Sequence, residues 1–189
     1  MAQANSATRQ QLLETAGRLF FREGYRAVGI DTIVAESGVA KMTLYRHFPS
    51  KDALIVAYLE QTNEQFWDWF EQAVASAPAE DAKAQIMAVF GALQKMVSSP
   101  TCYGCPFLMA GTEFPDPQHS GHQVALANKQ ALRARFRQLA AQAHLPEPEA
   151  LGDHLCLLMD GAFMAVRLFG IDNPARNIQT SVAHLLQLA

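Results

Sequence analysis

Apolar residues recur at helical spacing along almost the whole chain. Leu12, Ala16, Leu19 and Phe20 fall at i, i+4, i+7 and i+8, one face of an α-helix. Ser6 or Thr8 is its expected cap and Gly24 its stop. Ile30, Ile33 and Val34 form a second short face closed by Ser37-Gly38, and a third segment, Ala40 to Phe48, stops at Pro49. Ser50 then reads as the N-cap of a long helix, with Asp52 in the first turn, where a negative charge suits the helix dipole. That helix carries Ile55, Leu59, Phe66, Trp69 and Phe70 to about Ser76, before Pro78. Ile86, Val89, Phe90, Leu93 and Val97 make a further face, and Cys105 to Phe114 a short apolar element between two turns. Val124, Ala131, Leu132, Phe136 and Leu139 follow at helical spacing, opposite Lys129, Arg133 and Arg137. Glu147 to Phe169 is apolar nearly all round, and Asn173-Pro174 is a cap-plus-first-residue start for a last helix. No segment alternates as a strand does and none repeats. The expectation is an all-α chain of about nine helices.

Composition narrows the class. With 50% apolar and 17% charged residues in 189, the chain is too apolar for disorder and long enough for a real core. The net charge of −3 hides an asymmetry. The first 51 residues hold seven basic and four acidic side chains, and the remainder eight and fourteen. A basic head on an acidic body is compatible with a polyanionic partner. Three cysteines (Cys102, Cys105, Cys156) are too few for a disulfide framework, which predicts a reducing compartment. The opening residues have no apolar stretch of the kind a signal peptide needs. Leu155 to Phe169, interrupted by Asp160 and Arg167, falls short of a membrane span. A soluble, cytoplasmic protein with no membrane partner is expected.

The most informative spacing lies between Gly24 and Phe48. Two short helices joined by Glu36-Ser37-Gly38-Val39 have the form of a helix-turn-helix, whose second helix reads the DNA major groove. That helix runs Ala40-Lys41-Met42-Thr43-Leu44-Tyr45-Arg46-His47-Phe48. Leu44 and Phe48, four apart, share a buried face. Lys41, Met42, Thr43, Tyr45, Arg46 and His47 then point outward, with the donors and cations that phosphates and base edges require. Tyr25 and Phe48 are expected in the core of the head.

These runs resemble the DNA-binding domain of the TetR family of transcriptional repressors: Phe20-Phe21-Arg22-Glu23-Gly24-Tyr25, Ile33 to Val39, and Thr43-Leu44-Tyr45-Arg46-His47-Phe48-Pro49-Ser50-Lys51. The resemblance is dense over residues 8–58 and looser beyond, where it implies a helical ligand-binding and dimerisation domain. It implies a division into residues 1–51, extending into the start of the fourth helix, and 52–189. It also implies that Tyr45, His47 and Lys51 contact phosphate, that Lys41, Met42 and Thr43 face the groove, and that Thr32 touches the backbone. Three positions depart from the family pattern, one of them Met42, which stands where many members have a small residue. Ala40 lacks the usual hydroxyl and leaves only its N–H, and Gly29 replaces a Ser or Thr cap.

For the second domain, a helix apolar on all sides must be covered on all sides. By resemblance, the last two helices pair with their twins in a homodimer, which points to Leu151, Leu155, Leu158, Ala162, Ile178, Val182 and Leu185 as interface. The aromatic and Met supply suggests a pocket for a flat, apolar effector, with Phe66, Phe70, Met87, Phe90, Phe107, Phe114, Met159 and Phe163 as candidate lining. His119, His122, Asp160 and Arg167 are the polar groups able to orient a ligand. Cys102 and Cys105 form a C-x2-C pair. With His119 and His122 they would make a Cys2His2 set, but H-x2-H is too short for the usual zinc spacing, and no metal or cofactor is predicted. No nucleophile, base and orienter sit at motif spacing, so no enzyme is expected. The sequence thus predicts a ligand-responsive repressor released from a palindromic operator. A redox-sensing repressor triggered by Cys102 and Cys105 is the alternative.

Overall fold

Ser50 caps the longest helix as its chemistry requires: its hydroxyl accepts the Ala53 N–H at 3.0 Å. The structure is a computed structural model that describes the backbone of residues 2–188 and the side chains of residues 6–187. Its described residues form nine α-helices and no strand. They are α1 (Ala2–Glu23), α2 (Ile30–Ser37), α3 (Lys41–His47), α4 (Lys51–Ala75), α5 (Ala82–Val97), α6 (Pro106–Glu113), α7 (Ser120–Gln142), α8 (Pro148–Phe169) and α9 (Ile178–Leu188). The all-α expectation holds.

Two helix starts differ from expectation. α1 begins at Ala2, so Ser6 and Thr8 lie inside it and not at its start. Asn173 and Pro174 open a 3-10 turn, Pro174–Asn177, and α9 starts only at Ile178. The Asn173 side chain is turned inward, where Nδ2 donates to the carbonyls of Val97 at 2.9 Å and Gly170 at 2.7 Å. Val97 ends α5, and its carbonyl has no intrahelical donor, so an amide there satisfies a buried acceptor.

The chain divides into two compact units, Met1–Asn63 with Pro106–Leu126, and Glu64–Cys105 with Ala127–Ala189. The division cuts across the expected boundary at 51/52: the fourth helix contributes to both units, and α6 joins the first. In that first unit Leu12, Leu13, Ala16, Leu19 and Phe20 of α1 are at most 2% exposed, as are Tyr25, Ile33, Leu44 and Phe48. The expected core of the head is therefore its core.

In the second unit α5 buries Ile86, Val89, Phe90, Leu93 and Val97 completely. The Phe136 ring of α7 sits between those of Phe70 at 5.4 Å and Phe90 at 5.6 Å. Ion pairs lace the outside: Arg135 with Glu71 at 2.7 Å, and Asp153 with both Arg133 and Arg137. An 18-residue window in Pro148–Asp172 has mean hydropathy 1.5, so this helix is long and apolar enough to cross a membrane by composition. The apolar run thus extends further than Asp160 and Arg167 suggested. Only 28% of that window is buried within the chain.

Candidate functional site

The candidate nucleic-acid interface is built by α2 and α3. α2 ends at Gly38, whose φ of 67° turns the chain and sends its N–H back to the Val34 carbonyl. The α3 helix starts at Ala40, which makes no side-chain cap; its carbonyl accepts the Thr43 and Leu44 N–H groups at 2.9 and 3.1 Å. Gly29 likewise caps α2 without a side-chain bond. The missing hydroxyls therefore leave both helix starts uncapped.

Leu44 is fully buried, which turns Lys41, Met42, Tyr45 and Arg46 outward on one side of α3. Met42 is 80% and Tyr45 41% exposed. Thr32 is exposed on α2, and Thr43 is half-buried. Two candidates carry contacts that the sequence did not reveal, and a third has one ring nitrogen enclosed. Lys41 Nζ donates to Asp31 Oδ1 at 2.7 Å, and this pairing raises its pKa. Lys51 Nζ reaches the Arg26 carbonyl at 3.4 Å, and burial lowers its pKa against the raising pull of Glu113 and Asp52. His47 is half-buried, and its Nε2 is enclosed with no hydrogen-bond partner.

The apolar candidates fall in two groups. Phe107 and Phe114 belong to the first unit, where Phe114 stacks on His119 at 4.0 Å and lies 5.6 Å from Tyr25. Phe66, Phe70, Met87, Phe90, Met159 and Phe163 belong to the second. There Phe66 and Phe70 are 6.1 Å apart, Met159 and Phe163 are buried, and Met87 is half-buried.

Of the polar groups, His119 accepts the Gly121 N–H at 3.1 Å, and His122 Nδ1 bonds the Phe114 carbonyl at 2.8 Å. Asp160 pairs with Lys129 at 2.5 Å. These three side chains have structural partners already. Among the described residues no three His, Cys, Asp or Glu side chains converge to hold a metal ion. Lys129, which the sequence shows only as one of a polar stripe, is that partner of Asp160. Burial pulls its pKa down, but Cys105 and Asp160 outweigh that and raise it.

Most of the residues expected at a dimer interface are covered within the single chain. Leu151, Leu155, Ala162, Ile178 and Val182 are at most 7% exposed, covered by their own chain, while Leu158 and Leu185 are half-buried. The exposed large apolar residues of α8 are Leu157 at 68%, Met164 at 42%, Leu168 at 71% and Phe169 at 62%. On a helix apolar all round, periodicity finds a face but cannot say which face the chain itself covers.

Residues 12–58 match the family model described as bacterial regulatory proteins, tetR family. A TetR-family transcriptional regulator from Streptomyces coelicolor is 39% identical over 96% of this chain and 95% of its own, with a TM-score of 0.91. A tetr-transcriptional regulator from Streptomyces avermitilis is 30% identical over 96% and 97%, with a TM-score of 0.81. The HTH-type transcriptional regulator YjdC of Escherichia coli (strain K12) is 24% identical over 81% of this chain and 80% of that protein. Helix-turn-helix geometry, an outward-facing reading helix and similarity over nearly the full length agree, and the chain belongs to the TetR family of transcriptional regulators.

Proposed function

We propose that this regulator is a homodimeric repressor that binds a palindromic DNA operator and is released by an apolar small molecule. The observation that carries the DNA-binding part is the side of α3 bearing Lys41, Met42, Tyr45 and Arg46, whose apolar members have no cover in their own chain. Tyr45 and Lys51 hold phosphates, aided by the net positive charge of the first 51 residues. Met42 and Thr43 read base edges, and Thr32 braces the backbone. His47 reaches phosphate through its second ring nitrogen, because Nε2 is enclosed. The operator is a palindrome because two identical heads related by a two-fold axis meet two identical half-sites.

The effector reading rests on the aromatic supply around Phe66, Phe70 and Phe90, an interior suited to a flat apolar molecule. Its test is selection of double-stranded DNA from a random pool, followed by a screen for compounds that release it. Fluorescence of Trp67 and Trp69, whose rings lie 5.4 and 5.6 Å from Phe66, reports binding beside that cluster. Release without any tryptophan response would move the effector elsewhere. Selection that enriches no sequence would end the DNA reading.

A second reading has one supporting observation: Cys102 and Cys105, three residues apart, are both free thiols. Peroxide would take two electrons and two protons from the two thiols, giving one disulfide and two waters. Burial raises the Cys102 pKa, which slows attack by that sulfur. Release that needs peroxide and is lost in Cys105→Ser would favour this reading over a ligand.

A further inference from the structure

We propose that Glu113, the last residue of α6, is a positioning residue for DNA binding, whose carboxylate fixes the backbone turn leading from α1 into the helix-turn-helix. Glu113 Oε1 accepts the Tyr25 N–H at 3.0 Å, and Oε2 accepts the Arg26 N–H at 2.7 Å. Both amides lie between α1 and α2, where no intrahelical carbonyl serves them. A carboxylate that takes two adjacent backbone N–H groups forms charge-assisted bonds, stronger than neutral ones.

The surrounding residues are arranged for this grip. Gly24 has φ +98°, and a Cβ on it would stand 2.7 Å from Glu113 Oε1, so glycine supplies both the turn and the room. The Arg26 residue is held from two sides, its N–H by the Glu113 carboxylate and its carbonyl by Lys51 Nζ at 3.4 Å. Tyr25 is fully buried, and its hydroxyl donates to the Pro106 carbonyl at 2.9 Å. One residue of the turn therefore bonds both ends of α6. The chain starts α2 at Ile30, four residues past Arg26, so the turn governs where α2 and then α3 begin.

Sequence-specific contacts depend on that placement, and non-specific attraction to phosphate does not. Simple electrostatics predicts the opposite sign. Glu113 is a negative charge acting on Lys51, so removing it should strengthen binding to any DNA. The proposal rests on the DNA-binding reading of the head.

The test uses Glu113→Gln and Glu113→Ala in the full chain, with a duplex enriched from a random pool by the wild type and with mixed-sequence DNA. Affinity for the enriched duplex is expected to fall at least about tenfold, while mixed-sequence affinity stays equal or rises. Hydrogen exchange at the Tyr25 and Arg26 amides should accelerate in both variants, with the α5 amides unchanged. Equal or tighter binding of the enriched duplex by Glu113→Gln overturns the proposal, as does unchanged exchange at the two amides. Should the variants fail to fold, the wild type still decides, because free exchange at Tyr25 and Arg26 in the unmodified protein overturns the clamp and protection supports it. A wild type that enriches no sequence overturns instead the reading of the head on which the proposal stands.

Discussion

Lys51 and Glu71 show how single side chains divide their work. Lys51 is half-buried against the Arg26 carbonyl, yet in the proposed complex it also serves a phosphate. Lys51→Ala should weaken binding to mixed-sequence DNA as well as to the selected duplex and reduce the salt dependence by about one counterion. Met42→Ala should instead change base preference at particular positions. A salt slope identical to wild type in folded Lys51→Ala removes the phosphate role. Glu71 is different in kind: the hydrogen bond from Arg135 holds its pKa below the ordinary carboxylate value. A depressed folded pKa contributes stability above the unfolded value, near pH 4.5, which is lost as pH falls through the folded one. For a pair with Glu71 46% exposed, solvent screening limits this to about 0.5–1 kcal/mol. Arg135→Ala should lower the melting temperature at pH 7, by an amount that shrinks as pH falls below about 4.5. A constant difference across that range would show that packing, not charge, is what Arg135 contributes. Neither Asp31 as the partner of Lys41 nor Glu71 as that of Arg135 was legible in the sequence, since each pair joins different helices.

Among the elements, local rules explained helices well and their packing poorly. Ser50, Pro49 and Gly38 are local signals acting through adjacent backbone groups, and each marks the boundary expected of it. Asn173 failed as a cap because a tertiary acceptor, the Val97 carbonyl, claimed its amide. Five of the seven residues expected at a dimer interface are covered by their own chain, which the apolar periodicity of α8 and α9 does not reveal. The α7–α8 packing was equally hidden. A Cβ on Gly152 would stand 2.7 Å from Arg137 N and 2.8 Å from its Cα, backbone atoms that cannot step aside alone. Gly152→Ala should therefore destabilise the fold by about 1–3 kcal/mol, since overpacking forces backbone shifts. Gly111→Ala in α6, with nothing within 4 Å of the added carbon, should be neutral or stabilise by about 0.5–1 kcal/mol. Chemical denaturation of the two variants compares them directly. Equal stabilities would mean that α8 shifts freely on α7.

At the scale of the whole molecule, the strongest demand is for something to cover α8. Leu157, Met164 and Leu168 are exposed, and with Gly161 they fall at spacings of four, three and four residues. That is the seam of a helix packed on another helix, and Gly161 has no atom within 4 Å of a virtual Cβ to obstruct close approach. In the proposed homodimer a second copy of the chain covers this seam, as the proposed palindromic operator also requires. Because these leucines lie outside the core, Leu157→Glu or Leu168→Glu should yield soluble, helical monomers. Leu155→Glu, at 0% exposure, should unfold the chain instead by burying an unpaired charge. The monomeric variants keep an intact reading helix, so each head still binds one half-site. What they lose is the second head at high effective concentration, which lowers affinity for the full palindrome by about 10²–10⁴. Affinity for an isolated half-site should not change. Light scattering and titration of both duplexes separate the two effects. A wild type monomeric at micromolar concentration, or a Leu168→Glu variant still dimeric, would move the interface off α8.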